Sequence, residues 1–565
     1  MFRACKLKFD LPALLLMLVV ASASVATLGF CCKMSIGRWV FWLVFALEAI
    51  LAWKGSSRTA LRFVLTVLAC LFLTAYTFSY TGTDALGCWF PMQQMIKEGW
   101  NLVGGGSRAG IAAAVGDARI AFNHVFMYSK LVPLMGAIVG KATGIFAADS
   151  FLAYVLIVSL WIVAKRMASA YWGCSSVAAH VFAASVVLTT KIVAVMGGYV
   201  DYDVYAATLI AVFSLAQAWR NDEFRVQALI CFALSEIILF SVKSKGIVFA
   251  LTLLPVFAVT QMRANLRLAW MIPLAVIVCS LFLNLNPMIP VAQEFFGESK
   301  PIVDVTTDFT GNADAMRLGY FWRIVYAWVS PKLVPGNPHF DVVGGVGGFG
   351  SGFRFLLLGS LAAVLLSKKN FTTVVIVVLF VTANCLPLKY IGHARYCPQI
   401  WAIPMIAAFN LVYAPPRWFA MPRLVRFARI GCLLFFSAFA LFVSFRVIAF
   451  WKKNWLFELA RQQDLAYLRG QAPIVALADA CRNSRDSYAI KSRLRAAGVS
   501  CAQDRMGGTI VSYEPQKFSF AVSDACLPAG ARALAVCPMG DSPSVWFKLV
   551  FQMPLALPRP IISFD

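Results

Sequence analysis

Apolar runs of about 17–25 residues recur along most of this chain, separated by short polar links. An α-helix of about 20 apolar residues spans the hydrocarbon core of a bilayer and satisfies its own backbone hydrogen bonds there. Hydrophobic residues make up 60% of the sequence and charged residues 13%, against about 45–50% and about 25% in soluble domains. The pattern predicts an all-α polytopic membrane protein, because no soluble fold could bury so much apolar surface.

The apolar runs predict about 13 transmembrane helices. They lie near 11–32, 38–53, 61–80, 150–164, 175–196, 204–219, 226–242, 246–260, 268–286, 353–367, 371–387, 396–413 and 430–450. A cleaved signal peptide is the alternative for the first run, because Arg3, Lys6 and Lys8 precede it and small residues at 21–23 follow its apolar core. We favour a retained helix because the run continues to Cys32.

Lysine and arginine cluster in every second link between the predicted spans. Cytoplasmic loops carry such an excess, so these links and the N-terminus are predicted to be cytoplasmic. The clusters are Arg3/Lys6/Lys8, Lys54/Arg58/Arg62, Lys165/Arg166, Arg220/Arg225, Arg263/Arg267, Lys368/Lys369 and Arg417/Arg423/Arg426/Arg429. An odd number of spans then puts the C-terminus on the external face of an inner or plasma membrane. The net charge is +24, but the sequence has no continuous basic patch and no nucleic-acid motif, so the expected partners include membrane lipids and no nucleic acid.

Three regions follow from this topology. Two N-terminal transmembrane helices occupy 1–60, a transmembrane core occupies 61–450, and an external domain occupies 451–565. The core has two large external loops, 81–149 and 287–352. Part of the first, 124–146, is apolar, yet counting it as a span would turn every later basic cluster outward. We therefore predict that it forms amphipathic helices along the interface, with Trp89, Trp100, His124 and Lys130 at headgroup depth.

The C-terminal segment contains four cysteines, Cys481, Cys501, Cys526 and Cys537. In a small segment that faces an oxidising compartment, four cysteines favour two disulfides, and the sequence allows three pairings. No CxxC pair is present there, which makes a zinc site the weaker interpretation. The segment is predicted to form a small external α/β or irregular domain with disulfides.

Nearly all ionisable residues that do not serve orientation fall on the predicted external side. They are Asp84, Asp201, Asp203, Lys243, Lys245, His393 and Arg395, with Tyr396 beside the last. The aspartates could instead cap the helices that follow them, and the lysines could extend to lipid headgroups. Together, however, these residues suit an enzyme that uses a lipid-phosphate sugar. The carboxylates could activate an acceptor hydroxyl or bind a divalent metal ion, and the basic side chains could bind the phosphate.

The order of these residues resembles the GT-C superfamily of membrane glycosyltransferases, which includes protein O-mannosyltransferases, the lipid A aminoarabinose transferase and oligosaccharyltransferases. The resemblance covers most of 61–413. Its pieces are Asp84 with Pro91 and Gly99-Trp100, Pro133-Leu134 with Gly144, Tyr199 to Asp201, Lys245-Gly246, and Arg395-Tyr396. Two extra spans precede the one that leads into Asp84, and Val132-Pro133 replaces the paired prolines of the aminoarabinose and O-mannosyl branches. No Trp-Trp-Asp run is present in the tail, which argues against N-glycosylation.

The resemblance implies that a hexose or pentose passes from a polyprenyl-phosphate donor to a glycan, lipid or protein acceptor on the external face, with inversion at the anomeric carbon. It implies that Asp84 is the catalytic carboxylate and that Asp201 and Asp203 assist it. It assigns the donor phosphate to Lys243, Lys245, His393, Arg395 and Tyr396. Asp84, Asp201 and Asp203 are the implied ligands if the enzyme uses Mg²⁺ or Mn²⁺, a requirement on which branches of the superfamily differ.

Two alternatives remain open. An enzyme of the O-antigen-ligase type would also use external arginine and histidine with a lipid-phosphate donor. A transporter or flippase of lipid-linked saccharides would carry charges near the bilayer midplane and show inverted repeats. Glu48 and Glu236 are the exceptions in spans otherwise nearly free of charge at their centres, and no internal repeat is evident.

Overall fold

The structure is a computed structural model, and it describes only part of the chain. The described residues are 9–75, 90–103, 130–146, 148–188, 201–219, 224–262, 265–284, 357, 359–360, 371–384, 398–415, 421–471, 474–477, 498, 500–501, 509–514, 519–522, 532–533 and 562–563. Within them the core of the protein is a bundle of packed helices.

The described helices are numbered in chain order. They are α1 (Leu11–Cys31), α2 (Trp39–Gly55), α3 (Ser57–Ala75), α4 (Phe90–Lys97), α5 (Leu131–Thr143), α6 (Ser150–Trp172), α7 (Ser176–Val187), α8 (Asp201–Trp219), α9 (Arg225–Val242), α10 (Ser244–Met262), α11 (Leu266–Leu283), α12 (Phe371–Asn384), α13 (Ala402–Tyr413) and α14 (Pro422–Gln471). A 3-10 turn, Pro398–Trp401, leads into α13.

Six segments of the described chain are long and apolar enough to cross a bilayer. They are α1, α3, α6, α9, α11 and the Pro422–Phe445 part of α14. Every predicted span overlaps a described helix except 353–367, where only 357, 359 and 360 are described. The prediction of a helical protein with several membrane-length apolar helices is confirmed, while the number of 13 spans stays a prediction.

Burial separates central from peripheral helices. Residues 202–218 of α8 are buried along their whole length. By contrast, α3, α11 and the first half of α14 expose large apolar side chains, such as Phe72, Trp270 and Phe427 at 61%, 61% and 72% of their surface. So much exposed apolar surface calls for a nonaqueous neighbour, which lipid provides around the outer helices.

Local signals set several helix starts. The carboxylate of Asp10 accepts a 3.0 Å hydrogen bond from the Ala13 amide, and Pro12 follows at the start of α1. The side chains of Ser175 and Asn265 cap α7 and α11 in the same way. Such caps satisfy amides that have no partner inside the helix, and Pro fits there because it lacks an amide hydrogen.

A cavity of about 690 Å³ marks one end of the bundle. Its walls include Asp10 before α1, Arg62 in the first turns of α3, Arg166 in the second half of α6, Gln217 in the last turn of α8 and Phe224 before α9. These helix termini therefore lie together. We call this end of the bundle the Asp10 end.

The opposite end carries the first turn of α8, and we call it the Asp203 end. Asp203 lies about 21 Å from Gln217 along the axis of α8, at a rise of about 1.5 Å per residue. Since α9 starts at the Asp10 end, its last residues and the start of α10 lie at the Asp203 end. The Asn284 amide nitrogen donates a 2.8 Å hydrogen bond to the Ser241 hydroxyl, which adds the end of α11.

The turn before α13 also lies at the Asp203 end. The Trp172 ring nitrogen, at the Asp10 end of α6, donates to the Asn410 side-chain oxygen at 3.3 Å. The last turn of α13 is therefore at the Asp10 end, and Pro398–Trp401 is at the other.

Helices α4 and α5 lie between α3, which ends at the Asp203 end, and α6, which begins there. Hydrogen bonds join this region to the α1–α2 part of the chain. The Asn101 side chain donates to the Phe30 carbonyl oxygen at 2.8 Å, and the Lys141 side chain donates to the Ile36 carbonyl oxygen at 3.0 Å. The Trp42 ring nitrogen donates to the Ala142 carbonyl oxygen at 3.1 Å. The described residues that flank this stretch, the end of α3 and the start of α6, thus lie at one end of the bundle.

The expectation of amphipathic interfacial helices is wrong for α5. All ten residues from 131 to 140 are buried, so no face of this stretch is left for lipid. Lys130, expected at headgroup depth, is only 3% exposed. The physical reason is packing on several sides, since α5 contacts α1, α2, α4 and α6. Trp89 and His124 lie outside the described residues, and Trp100 is half-buried.

Helix α14 runs past residue 450, where the core was predicted to end, and continues to Gln471. Strands follow: β1 (Ile474–Leu477), β2 (Ser500–Cys501), β3 (Thr509–Glu514), β4 (Ser519–Val522), β5 (Arg532–Ala533) and β6 (Ile562–Ser563). One sheet has the order β2-β1-β3-β4, with β1 parallel to β2 and β3 and with β3 antiparallel to β4. A second pairs β5 with β6 antiparallel, Arg532 opposite Ser563.

Candidate functional site

The first turn of α8 carries two of the predicted carboxylates. Asp201 is the first residue of the helix, and Asp203 is buried, with 4% of its surface exposed. The tyrosines that alternate with them anchor the turn: the hydroxyl of Tyr202 donates to the Val187 carbonyl oxygen at 3.0 Å and that of Tyr205 to the Val186 carbonyl oxygen at 2.7 Å. Both acceptors are at the end of α7, whose last carbonyls have no partner inside the helix.

The predicted lysines lie at the junction between α9 and α10. Lys243 ends α9 with an extended backbone, φ −157° and ψ 151°, and is buried at 6% exposure. Its carbonyl oxygen accepts a 2.8 Å hydrogen bond from the Gly246 amide. A Cβ on Gly246 would lie 2.0 Å from the Leu239 carbonyl oxygen, so only glycine fits this close approach. The junction fixes the backbone of Lys243, and Lys245 follows in the first turn of α10.

Two buried amides complete the described part of the Asp203 end. Asn284 bonds Ser241 as described above and also donates to the Ser280 carbonyl oxygen at 2.8 Å. Its side-chain oxygen, and both polar atoms of Gln399, are buried without a hydrogen-bond partner among the described residues. Buried polar atoms normally have partners, so these three atoms stand out among the described residues of this end.

Three further lysines lie on α4 and α5. Burial lowers the pKa of Lys130 to about 7. The pKa of Lys97 is lowered chiefly by burial, with a smaller contribution from Lys141, while Glu98 acts in the opposite direction. Burial and the nearby Arg38 lower the pKa of Lys141. The Asp203 end thus carries more amines than the predicted pair, and the charged forms of Lys97, Lys130 and Lys141 are destabilised there.

The structure brings some predicted site residues together and leaves others undescribed. Asp201, Asp203, Lys243 and Lys245 lie on packed helices at one end of the bundle. Asp84, His393, Arg395 and Tyr396 lie outside the described residues, as do Cys481, Cys526 and Cys537; Cys501 is in β2.

Within the described residues no group of three His, Cys, Asp or Glu side chains could hold a metal ion. The predicted ligand set includes Asp84, so that set is not tested.

Several residues of this end were not among the predicted site residues. Tyr202 and Tyr205 stood in the same Tyr-Val-Asp-Tyr-Asp-Val-Tyr segment as the aspartates, and the three-residue spacing of those tyrosines could have shown that they share one helix face. Asn284 and Gln399 carried no such signal, because a single amide near the end of an apolar run is common. Their place follows only from the tertiary packing.

No family model, curated protein or solved structure matches this chain.

Proposed function

We propose that this protein is a membrane glycosyltransferase that moves a sugar from a polyprenyl-phosphate donor to an acceptor on the external face. One observation carries the proposal most directly: a buried aspartate, Asp203, and a buried lysine, Lys243, lie at the same end of a bundle of apolar helices. Burial of ionisable groups inside a membrane bundle is costly and usually functional. A carboxylate that can accept a proton and an amine that can bind phosphate are the two groups that this transfer needs.

The sidedness of the proposal rests on the basic residues. Arg62, Lys165 and Arg166, from two of the basic clusters, line the cavity at the Asp10 end. Arg225 and Arg429 bond Gln261 and the Val412 carbonyl oxygen near the same end, at 2.9 and 3.0 Å. If cationic loops are cytoplasmic, the Asp10 end faces the cytoplasm and the Asp203 end is external, where the acceptor would be.

In the proposed reaction the acceptor hydroxyl attacks the anomeric carbon of the donor. Asp84 takes the hydroxyl proton, and Asp201 and Asp203 orient the acceptor. The bond between the anomeric carbon and the phosphate oxygen breaks, and the phosphate keeps the electron pair. Lys243 and Lys245, with His393, Arg395 and Tyr396, stabilise the charge on the departing polyprenyl phosphate. Attack from the face opposite the phosphate inverts the anomeric carbon.

A divalent metal is an open part of this proposal. Carboxylate oxygens are the ligands that Mg²⁺ prefers, so Asp84, Asp201 and Asp203 are the residues that would hold it. Bound there, the ion would neutralise phosphate charge.

The function is tested by deleting the protein and analysing surface glycans by mass spectrometry. We expect one glycan to lose a sugar, with recovery on complementation by the wild-type chain. Complementation with Asp84→Asn is expected to fail, whereas Asp149→Asn, which changes a buried carboxylate at the same end outside the proposed site, is expected to succeed. An unchanged glycan profile in the deletion strain would overturn the proposal.

A transporter of lipid-linked saccharides is the second candidate, because one observation favours it. Glu236 is fully buried inside α9, Glu48 is 3% exposed inside α2, and neither carboxyl group has a hydrogen-bond partner among the described residues. Carboxyls within membrane helices are typical of transport pathways. In liposomes with a fluorescent lipid-linked sugar, a transporter would lose flipping in Glu236→Gln, whereas the enzyme would keep sugar transfer in that variant.

A further inference from the structure

The cavity at the Asp10 end is a candidate ligand site that the proposed sugar transfer does not use. Three cationic side chains line it, Arg62, Lys165 and Arg166, with one carboxylate, Asp10. The lining therefore has a formal excess of two positive charges. Arg166 forms an ion pair with Asp10, and neither Arg62 nor Lys165 has an ion-pair partner in the described part of the chain.

Two of the four charged side chains in this cavity, Asp10 and Arg166, are held by contacts with their neighbours. Asp10 accepts from the Ala13 amide with one oxygen and from Arg166 with the other. The guanidinium carbon of Arg166 lies 5.5 Å from the ring centre of Phe224, a cation–π distance. These contacts orient Arg166, while Arg62 is exposed and Lys165 is half-buried. A phosphate could bind the latter two without breaking the ion pair.

The remaining wall is apolar. Trp161 and Ile162 line the cavity with Leu11, and the Trp161 ring lies 5.9 Å from that of His180. Val177 is one helical turn before His180 on the same face of α7 and is 69% exposed. Cations beside half-buried apolar side chains, with exposed Val177 nearby, at the end of membrane-length helices, match the boundary between lipid headgroups and acyl chains.

We propose that this cavity binds the phosphate of an anionic membrane lipid, with Arg62 and Lys165 as its direct ligands. The apolar wall selects a lipid over a soluble phosphate because it can accommodate the adjoining glycerol and acyl chain. The inference does not depend on sugar transfer, since the cavity lies at the opposite end of the bundle from Asp203.

Native mass spectrometry of the full chain in detergent tests the proposal, with phosphatidylglycerol and phosphatidylcholine supplied in equal amounts. The wild type is expected to retain the anionic lipid in preference. Arg62→Gln/Lys165→Gln is expected to reduce that preference by at least about tenfold, because both charge-assisted contacts with the phosphate are lost. Arg423→Gln/Arg426→Gln neutralises two exposed cations of α14 and is expected to keep it.

A second variant, expected to change the lipid preference in the opposite direction, tests the proposal if the double variant fails to fold. Asp10→Asn preserves a helix-capping side chain but releases Arg166, so the preference for phosphatidylglycerol should rise. Equal loss in the Arg423/Arg426 control would indicate net charge alone and overturn the proposal, as would an unchanged preference in Arg62→Gln/Lys165→Gln. Displacement of the lipid by millimolar glycerol phosphate would assign the cavity to a soluble phosphate and overturn the lipid assignment.

Discussion

The hydroxyl of Tyr205 donates a 2.7 Å hydrogen bond to the main-chain carbonyl oxygen of Val186, across the junction between α7 and α8. Tyr202 makes the matching bond to Val187. Both tyrosines are fully buried, so water cannot replace them as donors. The pair holds the turn that carries Asp203 against the preceding helix.

Tyr205→Phe is expected to destabilise the protein by about 1–3 kcal/mol, because the Val186 carbonyl loses its donor in a buried place. Unfolding in detergent, followed by tryptophan fluorescence against added denaturant, measures the loss. Tyr413→Phe is the control: its hydroxyl has no hydrogen bond among the described residues, and its ring keeps the contact with Arg429 at 5.0 Å. Equal stability of the two variants would show that the Tyr205 bond contributes nothing.

Gly246→Ala should disrupt the α9–α10 junction. Its Cβ would lie 2.0 Å from the carbonyl oxygen of Leu239, and main-chain atoms must move to make room. We expect a loss of thermal stability and, in purified protein, weaker donor binding because Lys243 moves with the junction. Gly431→Ala, where a Cβ meets no atom within 4 Å, should be neutral or raise stability by up to about 1 kcal/mol through helix propensity. A Gly246→Ala protein as stable as the wild type would contradict the tight junction.

Lys130 predicts a pH dependence of stability. Burial lowers its pKa from 10.5 to about 7, so between these values the unfolded chain binds a proton that the folded chain has released. Stability should therefore rise with pH above about 7, by at most about 1.4 kcal/mol per pH unit. Melting temperatures of wild type and Lys130→Met, compared from about pH 6 to about pH 9, measure it. As pH rises, the melting temperature of the wild type should increase relative to that of Lys130→Met. A constant difference in melting temperature would be evidence against the burial of an uncharged Lys130.

The sequence predicted what depends on local chemistry. Apolar runs located the helices because a bilayer span needs length and apolarity alone, and the basic residues Arg62, Lys165 and Arg166 were expected on one side and line one cavity. The Asp10–Arg166 pair was not predictable, since its members are 156 residues apart. Burial of α5 was also missed, because its composition suits a membrane surface as well as a protein interior.

The candidate site was predictable in the same limited sense. Asp203 and Lys243 stood out because charges are rare near apolar runs, and counting spans put them on one face. Nothing in the order of residues revealed that Asn284 would bond Ser241 or that Gln399 would be buried. Those relationships depend on how α9, α11 and α13 pack.

The most direct test of the proposed transfer uses purified protein and a synthetic polyprenyl-phosphate sugar, with release of the polyprenyl phosphate as the readout. Lys243→Met should raise KM by about 10–100-fold through loss of a charged contact with phosphate. Asp203→Asn should lower kcat by about tenfold or more, short of the roughly 10²–10⁴ expected for Asp84→Asn as the base, while Asp149→Asn retains activity. A wild-type kcat in Asp203→Asn together with a wild-type KM in Lys243→Met would contradict a catalytic site at the Asp203 end.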